Sequence, residues 1–251
     1  MSKKNTKKKS KRRVALGIVL ILIIGLGIVV YRYFTEVHKA EGYKVSPYFS
    51  DKTDNIEVSY IDEGIFIDSP VSDKAVIYYP GCKVEYQAYI PFCCELAKQG
   101  FDVFIVKVKM NFALFDKQAG QKIMDKYSYD SWILMGHSMG GIAVSAFAAE
   151  KGNEVDGLVL LGAHGTEDLT GTDIVTLVMY GSEDGVVQRK KIESGRNFLA
   201  KEGNYHELEI PGANHAYWGN YGDQAMDHEA TISQSEQFEI GIGEIVKYFG
   251  D

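Results

Sequence analysis

The chain has 251 residues, 45% hydrophobic and 24% charged, with a formal net charge of −7, an ordinary globular composition large enough for one well-cored domain. Nine of its 27 Lys and Arg residues and none of its 34 acids lie in residues 1–35, which leaves 36–251 at −16. So acidic a body argues against nucleic-acid partners, because phosphate contacts need a positive surface, and it disfavours anionic substrates.

Residues 1–13 are a basic leader that runs directly into an uncharged apolar stretch over 14–30. As a helix that stretch would be about 25 Å long, near the lower limit for crossing a bilayer. Eight positive charges precede it, which places the N-terminus in the cytoplasm and the rest of the chain outside. The apolar core is long, and Tyr31-Arg32-Tyr33-Phe34 follows it without a small-residue cleavage pair. An uncleaved signal anchor over 14–31 is therefore favoured over a cleaved signal peptide. Residues 32–54 are polar and read as a tether, leaving 55–251 as the folded domain.

From residue 56 onward, strand-like and helix-like segments alternate. Residues 56–61 and 64–68 suggest a hairpin, and 74–79 a central strand ending at Pro80-Gly81. Helical spacing over 85–98 is followed by a strand over 101–108 and a second helix over 115–127. A short apolar strand over 131–135 leads into Gly136-His137-Ser138-Met139-Gly140-Gly141, and a small-residue helix follows over 142–150. Strands over 158–162 and 174–180, a helix over 187–201, a strand over 206–210 and a closing helix over 229–249 complete the pattern. Alternation of this kind predicts an α/β fold, a mostly parallel twisted sheet with helices on both faces.

The strand, G-x-S-x-G and helix together form a nucleophile elbow, the tight turn that lifts a serine hydroxyl out of a sheet. A serine needs an imidazole to take its proton, and the imidazole needs a carboxylate to hold its tautomer. In sheets with an elbow the chain order is Ser, acid, His. Asp184, in Gly181-Ser182-Glu183-Asp184-Gly185, and His215, in Gly212-Ala213-Asn214-His215, follow suitable strands in that order. Parallel strands would bring both loops to the elbow's edge of the sheet. Asp184 also fits a plain Asp-Gly turn former, with Glu183 beside it. Met139 is the expected first backbone N–H donor to an oxyanion. Cys82 is the candidate for the second, with Lys83 as the other option. His137 reads as packing behind the nucleophile; His164 follows a strand and could face the pocket, with a structural role favoured. Tyr217 and Trp218 fit either a wall of the substrate pocket or plain packing. The acidic stretch around Asp223, Asp227 and Glu229 reads as a solvated loop, with Thr231 near the start of the closing helix.

Tyr79-Pro80-Gly81-Cys82-Lys83-Val84-Glu85, the elbow, and the Asp184 and His215 loops together resemble the α/β-hydrolase superfamily over about 56–249. Within it they are most similar to compact bacterial members related to the dienelactone-hydrolase branch. The resemblance implies Ser138 as nucleophile, Asp184 as orienting acid and His215 as general base. Two features depart from it. Dienelactone hydrolases carry cysteine at the elbow, so their substrate does not transfer, and the His-Gly-Gly-Gly motif of many lipases is replaced by Pro80-Gly81-Cys82. The short segment between Gly162 and Asp173 leaves no room for a lid domain. The expected function is an extracytoplasmic, membrane-anchored serine hydrolase acting on a small ester-like substrate. Thioester, lactone and amide cleavage, and acyl transfer, use the same machinery. The alternative is a catalytically silent hydrolase fold serving as a binding module of the cell envelope. No metal, nucleotide or flavin motif occurs, so no cofactor or metal is expected. Cys82, Cys93 and Cys94 lack metal-ligand spacing, and nothing in the sequence indicates oligomeric state.

Overall fold

A computed structural model describes residues 2–49, 55–70 and 72–250, with side chains from Ala15 onward apart from Phe34. It separates into two units, Met1–Val37 and His38–Asp251. The first is one helix, α1 (Ser2–Thr35). Its stretch Ala15–Tyr33 has 19 residues and a mean hydropathy of 2.5, the one helix among the described residues that is long and apolar enough to cross a bilayer. Apolar side chains surround it on every side, with no polar face, unlike a helix built to pack on a core.

The second unit is built on eight strands: β1 (Glu57–Ile61), β2 (Gly64–Asp68), β3 (Lys74–Tyr79), β4 (Asp102–Val106), β5 (Ser131–His137), β6 (Gly157–Leu161), β7 (Val175–Gly181) and β8 (Tyr205–Ile210). Their spatial order is β1-β2-β4-β3-β5-β6-β7-β8. The β1–β2 hairpin joins β4 antiparallel, and every later pairing is parallel. All five residues of both β4 and β6 are buried, as expected of strands covered on both faces. Adjacent residues feed opposite layers. Tyr78 packs with Tyr89, Phe92 and Trp218 on one face, and Tyr79 with Phe104, Leu134 and Phe147 on the other.

The helices are α2 (Gly42–Val45), α3 (Ile90–Ala97), α4 (Gln121–Lys126), α5 (Met139–Lys151), α6 (Arg189–Gly195) and α7 (Gln234–Phe249). Four are shorter than the apolar spacing predicts, α3 because a 3₁₀ turn over Tyr86–Tyr89 takes up its start. Before α4 the chain makes two 3₁₀ turns, and Asp116, at φ −148° and ψ 46°, breaks the helical backbone after the second. α6 stops at Gly195, after which Phe198 and Leu199 fold back and Leu199 enters the core. α7 begins at Gln234 rather than near 229. Its cap is Ser233, not Thr231: the Ser233 side chain accepts from the Glu236 N–H, while the Glu236 carboxylate accepts from the Ser233 N–H at 2.7 Å, a capping box.

Residues 38–49, which composition assigns to the tether, are folded onto this second unit. His38 N–H donates to the Lys83 carbonyl at 2.7 Å, and Glu85 N–H donates to the His38 carbonyl at 3.0 Å. Ala40 N–H donates to the Glu85 carboxylate at 3.0 Å. Val45 enters the hydrophobic core, with Tyr48 and Phe49 packed against it. These attachments run mainly through the backbone and one Val, so a polar composition does not reveal them.

Candidate active site

Ser138 sits where β5 ends and α5 begins, with φ 53° and ψ −123°, a conformation that non-glycine residues avoid and that is held here by its surroundings. Its N–H extends the sheet ladder to the Leu161 carbonyl at 2.9 Å. The elbow requires glycine beside it: a Cβ on Gly140 would lie 2.3 Å from the Tyr79 carbonyl oxygen.

The loop after β7 carries Asp184 and the loop after β8 carries His215, 5% and 1% exposed. The Asp184 Oδ2 to His215 Nδ1 distance is 2.8 Å, while Oδ1 accepts from the Val186 and Val187 N–H groups at 2.9 and 2.8 Å. This fixes the carboxylate, and with Nδ1 donating to it, Nε2 is the free basic nitrogen. Nε2 is buried and has no hydrogen-bond partner among the described residues. Ser138 and His215 line the same cavity, so the three residues meet at the carboxyl edge of the sheet. No hydrogen bond joins Ser138 to His215 here, and such contacts commonly tighten only once substrate is bound.

The histidine loop is braced from two sides. Buried Gln237 accepts from the Asn214 N–H at 3.1 Å and donates to the Asn214 carbonyl at 3.0 Å. Asp227 is not a solvated loop acid: Oδ1 accepts from the N–H groups of Gly185 and His215 at 3.2 Å each, and Oδ2 from that of Ala216 at 2.8 Å. One carboxylate therefore ties the acid loop to the histidine loop. Nothing in the sequence marks it among the neighbouring acids.

Hydrogen bonding also sorts the candidate oxyanion donors. Gly81 N–H is spent on the Tyr89 hydroxyl at 3.0 Å, Lys83 N–H on the Asn111 carbonyl at 2.7 Å, and Val84 N–H on the Gly81 carbonyl at 3.3 Å. Cys82 N–H has no partner among the described residues. Met139 opens α5 with its N–H uncommitted. Burial pushes the Cys82 thiol up to about 11. All three cysteines are free.

His137 is buried behind the nucleophile, its Nδ1 2.9 Å from the Tyr89 hydroxyl and its ring centroid 4.5 Å from that of His215. That hydroxyl also accepts from the Gly81 N–H, and the His137 tautomer sets which partner donates between it and Nδ1. Burial, and secondarily the His215 imidazole, hold the His137 pKa well below the ordinary 6.5. Trp218 does not reach the cavity: it is fully buried, edge-on to Phe92 at 5.8 Å and facing Gly241. Tyr217 is also absent from the lining.

The cavity at Ser138 measures about 160 Å³ and is lined by Met139, Ile142, Ala163, Val186 and Val187, with His164 and Gln188 as polar members. A larger cavity of about 750 Å³ lies between α3, α7 and Lys44 and Tyr48, and holds none of these groups. Chemistry, not volume, picks out the smaller one.

Sheet order, elbow and partner loops define an α/β-hydrolase fold. The model of the Alpha/beta hydrolase family matches residues 75–239, about two thirds of the chain, and the chain belongs to that family. Among solved structures it is similar to TT1662 from Thermus thermophilus, with a TM-score of 0.56 at 11% identity, covering 77% of this chain and 98% of that one. At that identity the likeness is one of fold. No curated protein is significantly similar to the chain.

Proposed function

We propose that this is a membrane-anchored serine hydrolase that cleaves small esters through an acyl-enzyme, with its catalytic unit on the outer side of the membrane. The observation that carries the reading is the buried 2.8 Å Asp184–His215 pair at the sheet edge where Ser138 stands in its strained turn. Ser138 Oγ attacks the ester carbonyl carbon while His215 Nε2 takes its proton, and Asp184 stabilises the imidazolium so formed. The Met139 and Cys82 N–H groups receive the oxyanion, each worth about 10²–10³ in rate. His215 then returns the proton to the departing alcohol, and water repeats the sequence on the acyl-enzyme. A cavity of about 160 Å³, below the roughly 300–1,000 Å³ of drug-sized sites, favours short acyl or alcohol groups. The apolar Ala15–Tyr33 helix behind a basic leader supports anchoring with the N-terminus inside.

The test is intact-mass analysis of the full chain in detergent after exposure to a fluorophosphonate. One adduct, absent from Ser138→Ala, is the expected result. A folded wild-type chain that takes up no adduct overturns the reading and leaves a binding role for the fold.

A further inference from the structure

The cavity beside Ser138 is lined mostly by apolar residues, and beyond Ser138 and His215 its polar lining residues are His164 and Gln188. His164 follows β6 through Gly162 and Ala163 and is 7% exposed. It lines the cavity, and its imidazole makes no hydrogen bond to any described residue while its nitrogens, unlike Nε2 of His137, are accessible. An accessible, unpaired imidazole among the residues of a cavity is free to pair with a group placed in that cavity. Ligand pockets commonly combine an apolar lining with a few polar groups that fix orientation.

We propose that His164, assisted by Gln188, forms a subsite for a hydroxyl on a short arm of the substrate, so that the preferred esters are small and hydroxylated. The inference rests on the hydrolase reading above. Burial first, and the charge of Lys191 second, lower the His164 pKa, which keeps the ring neutral near pH 7. A neutral imidazole offers one N–H donor and one lone-pair acceptor, and a hydroxyl offers the same two functions in reverse. Gln188, an exposed residue that also lines the cavity, carries an amide with a further donor and acceptor. An aliphatic arm of equal size would leave the imidazole unpaired, and sites built to hydrogen-bond a hydroxyl discriminate against analogues that lack it.

The experiment compares isosteric esters with the full chain in detergent. On the acyl arm, 4-nitrophenyl 3-hydroxybutanoate is set against the 3-methylbutanoate. On the alcohol arm, 2-hydroxyethyl butanoate is set against propyl butanoate. The wild type is expected to favour the hydroxylated partner on one arm by at least about threefold to tenfold in kcat/KM, the worth of one net hydrogen bond. His164→Leu should lose that preference while Ser138 is still labelled by the fluorophosphonate, and His164→Gln should restore part of the preference. Should the Leu variant fail to fold, His164→Met takes its place in the comparison. Equal rates on both arms in the wild type, or a preference that survives loss of the imidazole, overturn the subsite while leaving the serine mechanism standing. A wild-type chain that is never labelled removes the hydrolase reading and the subsite with it.

Discussion

Gly162 lies beside the Asp184–His215 pair, and replacing it with alanine should disable the site without unfolding the protein. It adopts φ +51°, and an added Cβ would stand 2.8 Å from His215 Nδ1, 3.0 Å from Asp184 Oδ2 and 3.1 Å from His215 Cε1. Non-bonded carbon contacts settle near 3.5–4.0 Å, so the imidazole and carboxylate must withdraw by roughly 0.5–1 Å. A displacement of that size costs on the order of 100-fold in rate. The left-handed backbone adds about 1–2 kcal/mol of strain, equivalent to roughly 2–8 °C in melting temperature for a domain of this size. Gly152 separates the two effects: it has φ +55° and nothing within 4 Å of an added Cβ. Gly152→Ala, strained at φ +55° and ψ −132°, should lose stability and keep wild-type labelling, whereas Gly162→Ala should lose both. The assay is the rate of fluorophosphonate adduct formation by intact mass, paired with a melting curve for each variant. Wild-type labelling in Gly162→Ala, or an equal loss in Gly152→Ala, would show that the pair beside Gly162 is not part of the reacting machinery.

Cys82→Ala should keep labelling and ester turnover within about threefold of wild type, since only the backbone N–H is asked to contact the oxyanion; a 100-fold loss would implicate the thiol. Asp227→Ala leaves three N–H groups of two loops without their acceptor. It should slow labelling about tenfold or more and cost roughly 1–3 kcal/mol in denaturant unfolding, whereas unchanged labelling would confine Asp227 to a structural role. His137 bears on pH dependence. Its folded pKa is depressed below 6.5, so the stability tied to its neutral form is complete above about pH 6.5 and is lost as pH falls below that, because the unfolded chain then binds a proton that the folded chain does not. Its contribution to the slope is at most about 1.4 kcal/mol per pH unit. Urea unfolding between pH 7.5 and 5 should therefore be shallower in His137→Gln than in wild type, and identical slopes would exclude His137 as the source.

The sheet was legible because buried parallel strands are uninterrupted apolar runs, as in Lys74–Tyr79 and Gly157–Leu161. The elbow was legible because glycine is obligatory where Gly140 meets the Tyr79 carbonyl. Asp184 and His215 followed from chain order after strands. Asp227 was not legible: its partners Gly185, His215 and Ala216 are backbone N–H groups up to 42 residues away, and a backbone donor leaves no trace in residue type. Trp218 could have faced the cavity or the core. The space opened by Gly241 on α7 settles it into the core, and no local pattern around Trp218 encodes that.

The docking of His38 has a practical consequence for anyone trimming the chain to a soluble form. Through Lys83 and Glu85 it clamps one flank of the loop that presents Cys82 N–H, and Val45 a few residues later plugs the core. A cut near residue 55, where the regular strands begin, would strip both supports and leave that loop backed on one side only, by Asn111 and Tyr89. The smallest faithful soluble version therefore starts ahead of His38, and the dozen residues after it act as a splint for the reacting edge rather than as a leash.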